Sequence, residues 1–260
     1  MLPYATLLWL ACWSTLLFFV GMLLGRAGDT WLVKLVLAPG LLIDSVLRLL
    51  ACFASGTKIR RVNVLRTGPL LETGRPPIRH IGPAVFVTVR LLLLFVLLYL
   101  ILENFPDELD SPLYFPTINP ATTEQEALEP HSLKALLDQL RMLPEALQLQ
   151  RAHGWLFAYV AVTTLLATRL TKGDWLASLY TVLVLHAIGW AGAWLGVTFG
   201  FLSRGQLIGI FYSEGFWSAF SLLVTLTVTA LLLAAPLRVI PTLLGLSTKP
   251  EPVEKEKGDD

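Results

Sequence analysis

Charge is what this sequence has least of. Asp, Glu, Lys and Arg make up 15% of its 260 residues and nearly cancel, to a net +1. A chain this neutral has no broad cationic face for nucleic acid, which needs clustered Lys and Arg. Cysteine is almost missing as well. Cys12 and Cys52 lie in apolar stretches without CxxC spacing, so they read as small hydrophobes rather than as a disulfide or a metal site, and they fix no redox compartment. No phosphate-cradling glycine loop, no GxSxG turn, no spaced Ser, His and Asp set and no internal repeat occurs. The usual nucleotide-binding and nucleophilic-hydrolase signatures are therefore unsupported.

What the chain has in abundance is apolar side chain, 55% of all residues, well above what a soluble domain of this size needs. Runs near the ~20 residues required to cross a bilayer occur at about 4–25, 31–54, 81–102, 154–170, 175–200 and 216–241. These predict an all-α fold, a polytopic integral membrane protein of about six transmembrane helices. The first run lacks a basic leader and is too long for the apolar part of a signal peptide, so it reads as an anchor. The fourth is the shortest and needs a thin bilayer or its flanking residues to span.

Lys and Arg in short loops set orientation. Lys58, Arg60, Arg61, Arg66, Arg75 and Arg79 against a lone Glu72 place the loop 55–80 in the cytoplasm. Six spans then put both termini there too. Arg169 and Lys172 in the next inner loop and Lys249, Lys255 and Lys257 in the tail agree, whereas Arg26 and Lys34 on the outer side do not. The chain divides into 1–102, three spans including the helix 39–54; 103–153, an outer segment; 154–246, three further spans; and 247–260, a polar tail expected to be disordered. The outer segment opens with 103–129, acidic and without a basic residue, and continues from Ser132 as a leucine-striped amphipathic helix that Pro144 should bend or divide. Packing against a neighbour is the plain reading of that stripe, a partner-binding lid the sharper one.

Charges inside a span are costly enough to mark function by default. Asp44 and Arg48 stand four apart in the second span, the spacing at which an acid and a base meet on one helix face and form a buried ion pair. The alternative is that both face a water-filled crevice separately. Arg90, about nine residues into the third span, is expected to snorkel to the cytoplasmic surface, with competition for Asp44 as the alternative. His186, deep in the fifth span, reads as a satisfied buried histidine rather than a ligand. His80, His131 and His153 fall in loops. Gly189, Gly192, Gly196 and Gly200 share one side of the fifth span with His186 and Ala193 and predict close helix packing within the chain, with homo-oligomerisation as the alternative. Pro236 and Pro241 should kink or end the sixth span, which Arg238 anchors.

One segment carries a resemblance. Ala38-Pro39-Gly40, three apolar residues, the five positions 44–48, then Leu49-Leu50-Ala51-Cys52, Gly56, Lys58 and the strand-like IRRVNVLR resemble the zinc-motif segment of site-2-protease-type intramembrane metalloproteases and uncharacterised bacterial relatives. Ile81-Gly82-Pro83-Ala84-Val85-Phe86 is similar to the start of that family's next helix, and Asp174 to the aspartate of a turn in those relatives. The family's HExxH needs two neutral imidazoles on zinc and a Glu general base. Here those positions read Asp44-Ser45-Val46-Leu47-Arg48. A permanently protonated guanidinium cannot be a ligand, and Ser45 removes the base. The resemblance therefore implies a pseudoenzyme with no catalytic residue and no cofactor, a scaffold or regulatory subunit that binds another membrane protein in a bacterial inner membrane. Two other classes stay open. One is an active metallopeptidase whose zinc has moved to some combination of Asp44, His80, Asp174 and His186; the other is a small transporter or channel lined by Asp44, Arg48, Arg90 and His186.

Overall fold

A computed structural model describes residues 2–25, 30–62, 71–74, 81–104, 140–141, 143–144, 152–200 and 214–243. Seven helices with described bounds carry the fold among these residues: α1 (Leu2–Leu24), α2 (Trp31–Val36), α3 (Ala38–Ser55), α4 (Gly82–Asn104), α5 (Ala152–Ala167), α6 (Lys172–Thr198) and α7 (Glu214–Leu243). The long ones pack as a closed ring in which α3 meets α4, α4 meets α6, α6 meets α1, α1 meets α7, α7 meets α5 and α5 returns to α3. Leu17, Val20, Val87, Leu94, Leu165, Leu226 and Ala230 line its interior.

Four helical stretches are long and apolar enough to cross a bilayer: Ala38–Ser55, Gly82–Leu100, Lys172–Thr198 and Leu222–Pro241. Leu10–Leu24 and Gly154–Ala167 are apolar but shorter, so four of the six expected spans meet the length requirement among the described residues. The expected run 31–54 is not one helix. It breaks at Leu37 because Pro39, in the first turn of α3, has no N–H to continue the ladder from α2. Gly56 closes α3 in the left-handed conformation, with the Thr57 N–H bonded to the Cys52 carbonyl.

The described residues are helical, as expected, apart from one small hairpin at the strand-like segment. Ile59–Val62 forms β1, antiparallel to β2 (Leu71–Thr73), a small hairpin directly after α3; the β-branched ends of IRRV suit a strand better than a helix. Pro236 does not end the last helix. α7 runs through it and stops two residues beyond Pro241. Of the outer segment, Leu140, Arg141, Leu143 and Pro144 are helical and Leu143 is buried; the rest of the helix expected from Ser132, the acidic stretch 103–129 apart from Glu103 and Asn104, and the tail 247–260 lie outside the described residues.

Candidate functional site

The buried stripe of α3, Gly40, Asp44, Leu47 and Ala51, follows the helical three-and-four spacing and turns Asp44 into the ring. Two neighbours set its surroundings. Gly40 brings α3 and α5 into backbone contact, since a Cβ there would fall inside the Thr163 carbonyl. Four residues before Gly40 the Val36 carbonyl accepts from the Tyr159 hydroxyl at 2.6 Å, and four after it Asp44 lies beside Thr168. The paired positions 36 with 159, 40 with 163 and 44 with 168 rise together, so α3 and α5 run parallel and α5 ends at the level of Asp44. On the other side α4 turns in Phe86, Val87, Arg90, Leu91 and Leu94, again at three-and-four spacing.

These placements meet on one carboxylate. Arg48 Nε donates to Asp44 Oδ2 at 2.7 Å. Arg90 donates twice to Oδ1, from Nε at 2.9 Å and from Nη2 at 2.5 Å. The Thr168 hydroxyl lies 3.3 Å from the same oxygen while also approaching the Thr164 carbonyl at 2.8 Å. The Arg90 side chain is 1% exposed and that of Asp44 5%, whereas Arg48 retains 19%. Asp44 and Arg48 meet, but Arg90 does not snorkel: it turns inward, because Asp44 on the neighbouring α3 offers a charge partner. Against the crevice alternative, Asp44 is buried between two guanidinium groups.

The remaining candidates are more scattered. Asp174 closes the first turn of α6 in a reciprocal capping box with Thr171: the Thr171 N–H and hydroxyl donate to Oδ2 at 3.1 and 2.8 Å, and the Asp174 N–H donates back to Thr171 Oγ1 at 3.3 Å. Its charge also acts on Arg48 and Arg90. His80 and His131 lie outside the described residues; His153 and His186 fall in α5 and α6, but their side chains are not described. Among the described residues no three His, Cys, Asp or Glu gather to hold a metal. A cation at Asp44 would have to displace hydrogen bonds from both guanidinium groups and then sit beside two positive charges.

The glycine stripe makes few contacts among the described residues. Nothing approaches within 4 Å of where a Cβ would stand on Gly189 or Gly192, and Gly200, with φ of 74°, belongs to the turn after α6 rather than to its packing face. Only Gly196 is buried. This end of α6 extends past the ring, with Leu183, Ile188, Trp190 and Trp194 all more than half exposed. The close glycine contacts are elsewhere, at Gly40 and at Gly21, whose Cβ would lie 2.8 Å from the Leu170 carbonyl oxygen.

Sequence reasoning missed Thr168 as a neighbour of Asp44. No local signal marks it, since a threonine at the end of a short apolar run serves as well for a turn. Comparison with known proteins adds no relative: no protein-family model, curated protein or solved structure matches the chain.

Proposed function

We propose that this is a six-span protein of a bacterial inner membrane, with both termini and the loop 55–80 in the cytoplasm, that works without catalysis as a scaffold or regulatory subunit for another membrane protein. Its architecture would be that of a site-2-type metalloprotease in which the metal centre has been replaced. The observation that carries this reading is the state of Asp44. At the position of the first zinc ligand stands an acid whose two oxygens are taken by Arg48 and Arg90, and the second ligand position is itself one of those arginines. Such a centre holds α3 to α4 but has neither a free ligand nor a base.

Elemental analysis of detergent-purified protein beside a D44A variant tests it. The expected result is zinc at the same background level in both, with a membrane protein copurifying under mild solubilisation. Stoichiometric zinc that D44A loses would overturn the reading in favour of a relocated metal site. Orientation is checked separately by placing a single cysteine at Lys58, which should react with an impermeant maleimide only from the cytoplasmic side.

A transporter is the second reading, favoured by one observation. Asp44, Arg48 and Arg90 are ionisable groups inside apolar helices, with Thr168 beside them, and such groups mark solute pathways as well as joints. Solute uptake into proteoliposomes that D44N abolishes would support it.

A further inference from the structure

The clamp on Asp44 leaves most of its donors unused. A guanidinium carries five N–H groups in a fixed fork. Arg48 commits one of them to Asp44 and Arg90 commits two, and among the described residues no other acceptor takes the rest. The Arg90 side chain is 1% exposed, and among the described residues its Nη1 has no acceptor. Buried N–H groups in native proteins are almost always paired with protein, water or an ion. In a bilayer interior each orphan costs more than it would near water.

The charge arithmetic points the same way. Asp44 offers one negative charge to two positive ones. The other acid that acts on both arginines, Asp174, spends its Oδ2 on Thr171 and makes no hydrogen bond to either guanidinium. Arg48 and Arg90 also repel one another, and Cys52 lies one helical turn from Arg48. Among the described members of the cluster Arg48 is the most exposed, with 19% of its side chain accessible. Arg48 lies seven residues before the end of α3, about 10 Å at the helical rise, within reach of the bilayer surface on the side of the basic loop.

We infer that Arg48 and Arg90 form a binding site for a phosphate-type oxyanion that enters at Arg48 and takes the donors Asp44 leaves unused. Guanidinium forks suit carboxylate and phosphate alike, but phosphate carries more acceptor oxygens and so matches two forks better. A lipid headgroup and free phosphate offer the same chemistry. The inference does not depend on the scaffold reading, because metal content and partner capture can fail while anion binding stands.

The experiment is thermal unfolding of the detergent-solubilised full chain titrated with inorganic phosphate, against sodium chloride at matched ionic strength. A parallel arm uses nanodiscs of phosphatidylcholine with and without phosphatidic acid. Saturable stabilisation by phosphate in detergent identifies a soluble anion; stabilisation only by phosphatidic acid identifies a lipid headgroup. Either effect should fall at least tenfold in apparent affinity in R48Q and be partly kept in R48K. D174N, which removes the competing charge, should tighten binding. Because Arg90 still holds Asp44 in R48Q, that variant is expected to fold. No saturable shift in either arm, or an unchanged response in R48Q, overturns the inference and leaves water as the partner of these donors.

Discussion

Asp44 is worth more to its neighbours than either neighbour is to it. Breaking a buried pair by removing one partner leaves an uncompensated charge, at a cost of about 3–5 kcal/mol. Arg90→Leu should destabilise by less than that, since it strips two bonds from Oδ1 of a nearly inaccessible acid while Arg48 and the Thr168 hydroxyl stay beside it. Arg48→Gln should cost less, because Arg48 is partly exposed and Arg90 stays in place. Thermal unfolding in one detergent ranks the two, and equal losses would contradict this hierarchy. Replacing Asp44, Arg48 and Arg90 together by leucine should recover part of what Arg90→Leu loses, as apolar substitutes for whole buried ion groups often do. At the start of α6 the reciprocal bonds of Thr171 and Asp174 predict that Thr171→Ala loses about 0.5–2 kcal/mol, measured in the same way.

Glycine has two uses among the helices, and substitution separates them. At Gly40 a methyl group would strike the Thr163 backbone, which cannot rotate aside, so Gly40→Ala should force α3 from α5 at a cost of roughly 1–3 kcal/mol. At Gly192 the space is open, and Gly192→Ala should be neutral or stabilise by up to about 1 kcal/mol through helix propensity. Helicity by circular dichroism and the unfolding midpoint check both; a loss at Gly192 matching that at Gly40 would mean its face is covered in the intact protein. The sequence made the helices legible because long apolar runs have few other solutions, and the i, i+4 spacing of Asp44 and Arg48 announced their contact within one helix. Arg90 was visible as an isolated charge, but its direction depended on how α4 faces α3, which no local pattern states. Thr168 and Gly40 were silent for the same reason: each acts across a gap of more than 120 residues. The split at Leu37 could be anticipated from Pro39, whereas the glycines of α6 carry a GxxxG pattern that records a capacity for close approach and does not name the partner.

For the molecule as a whole, the ring of helices divides its polar contacts unequally. The second half of the chain supplies one hydroxyl at the edge of the cluster, and α3 and α4 supply every charge bonded within it. This distribution bears on biogenesis. A translocon meets segments in order, and a lone charge at the centre of a helix raises the insertion cost by about 2.5–3.5 kcal/mol. Asp44, Arg48 and Arg90 arrive on adjacent helices, joined by a loop whose hairpin folds directly after α3, so Asp44 can offset part of the arginine charge before α5 has left the ribosome. A chain ending at Asn104 should accordingly resist carbonate extraction, while the same fragment carrying D44L, which leaves Arg48 and Arg90 without their counter-charge, should be recovered more often in the soluble fraction. The clamp would then serve first as a passport into the bilayer, and only afterwards as a joint in the finished fold.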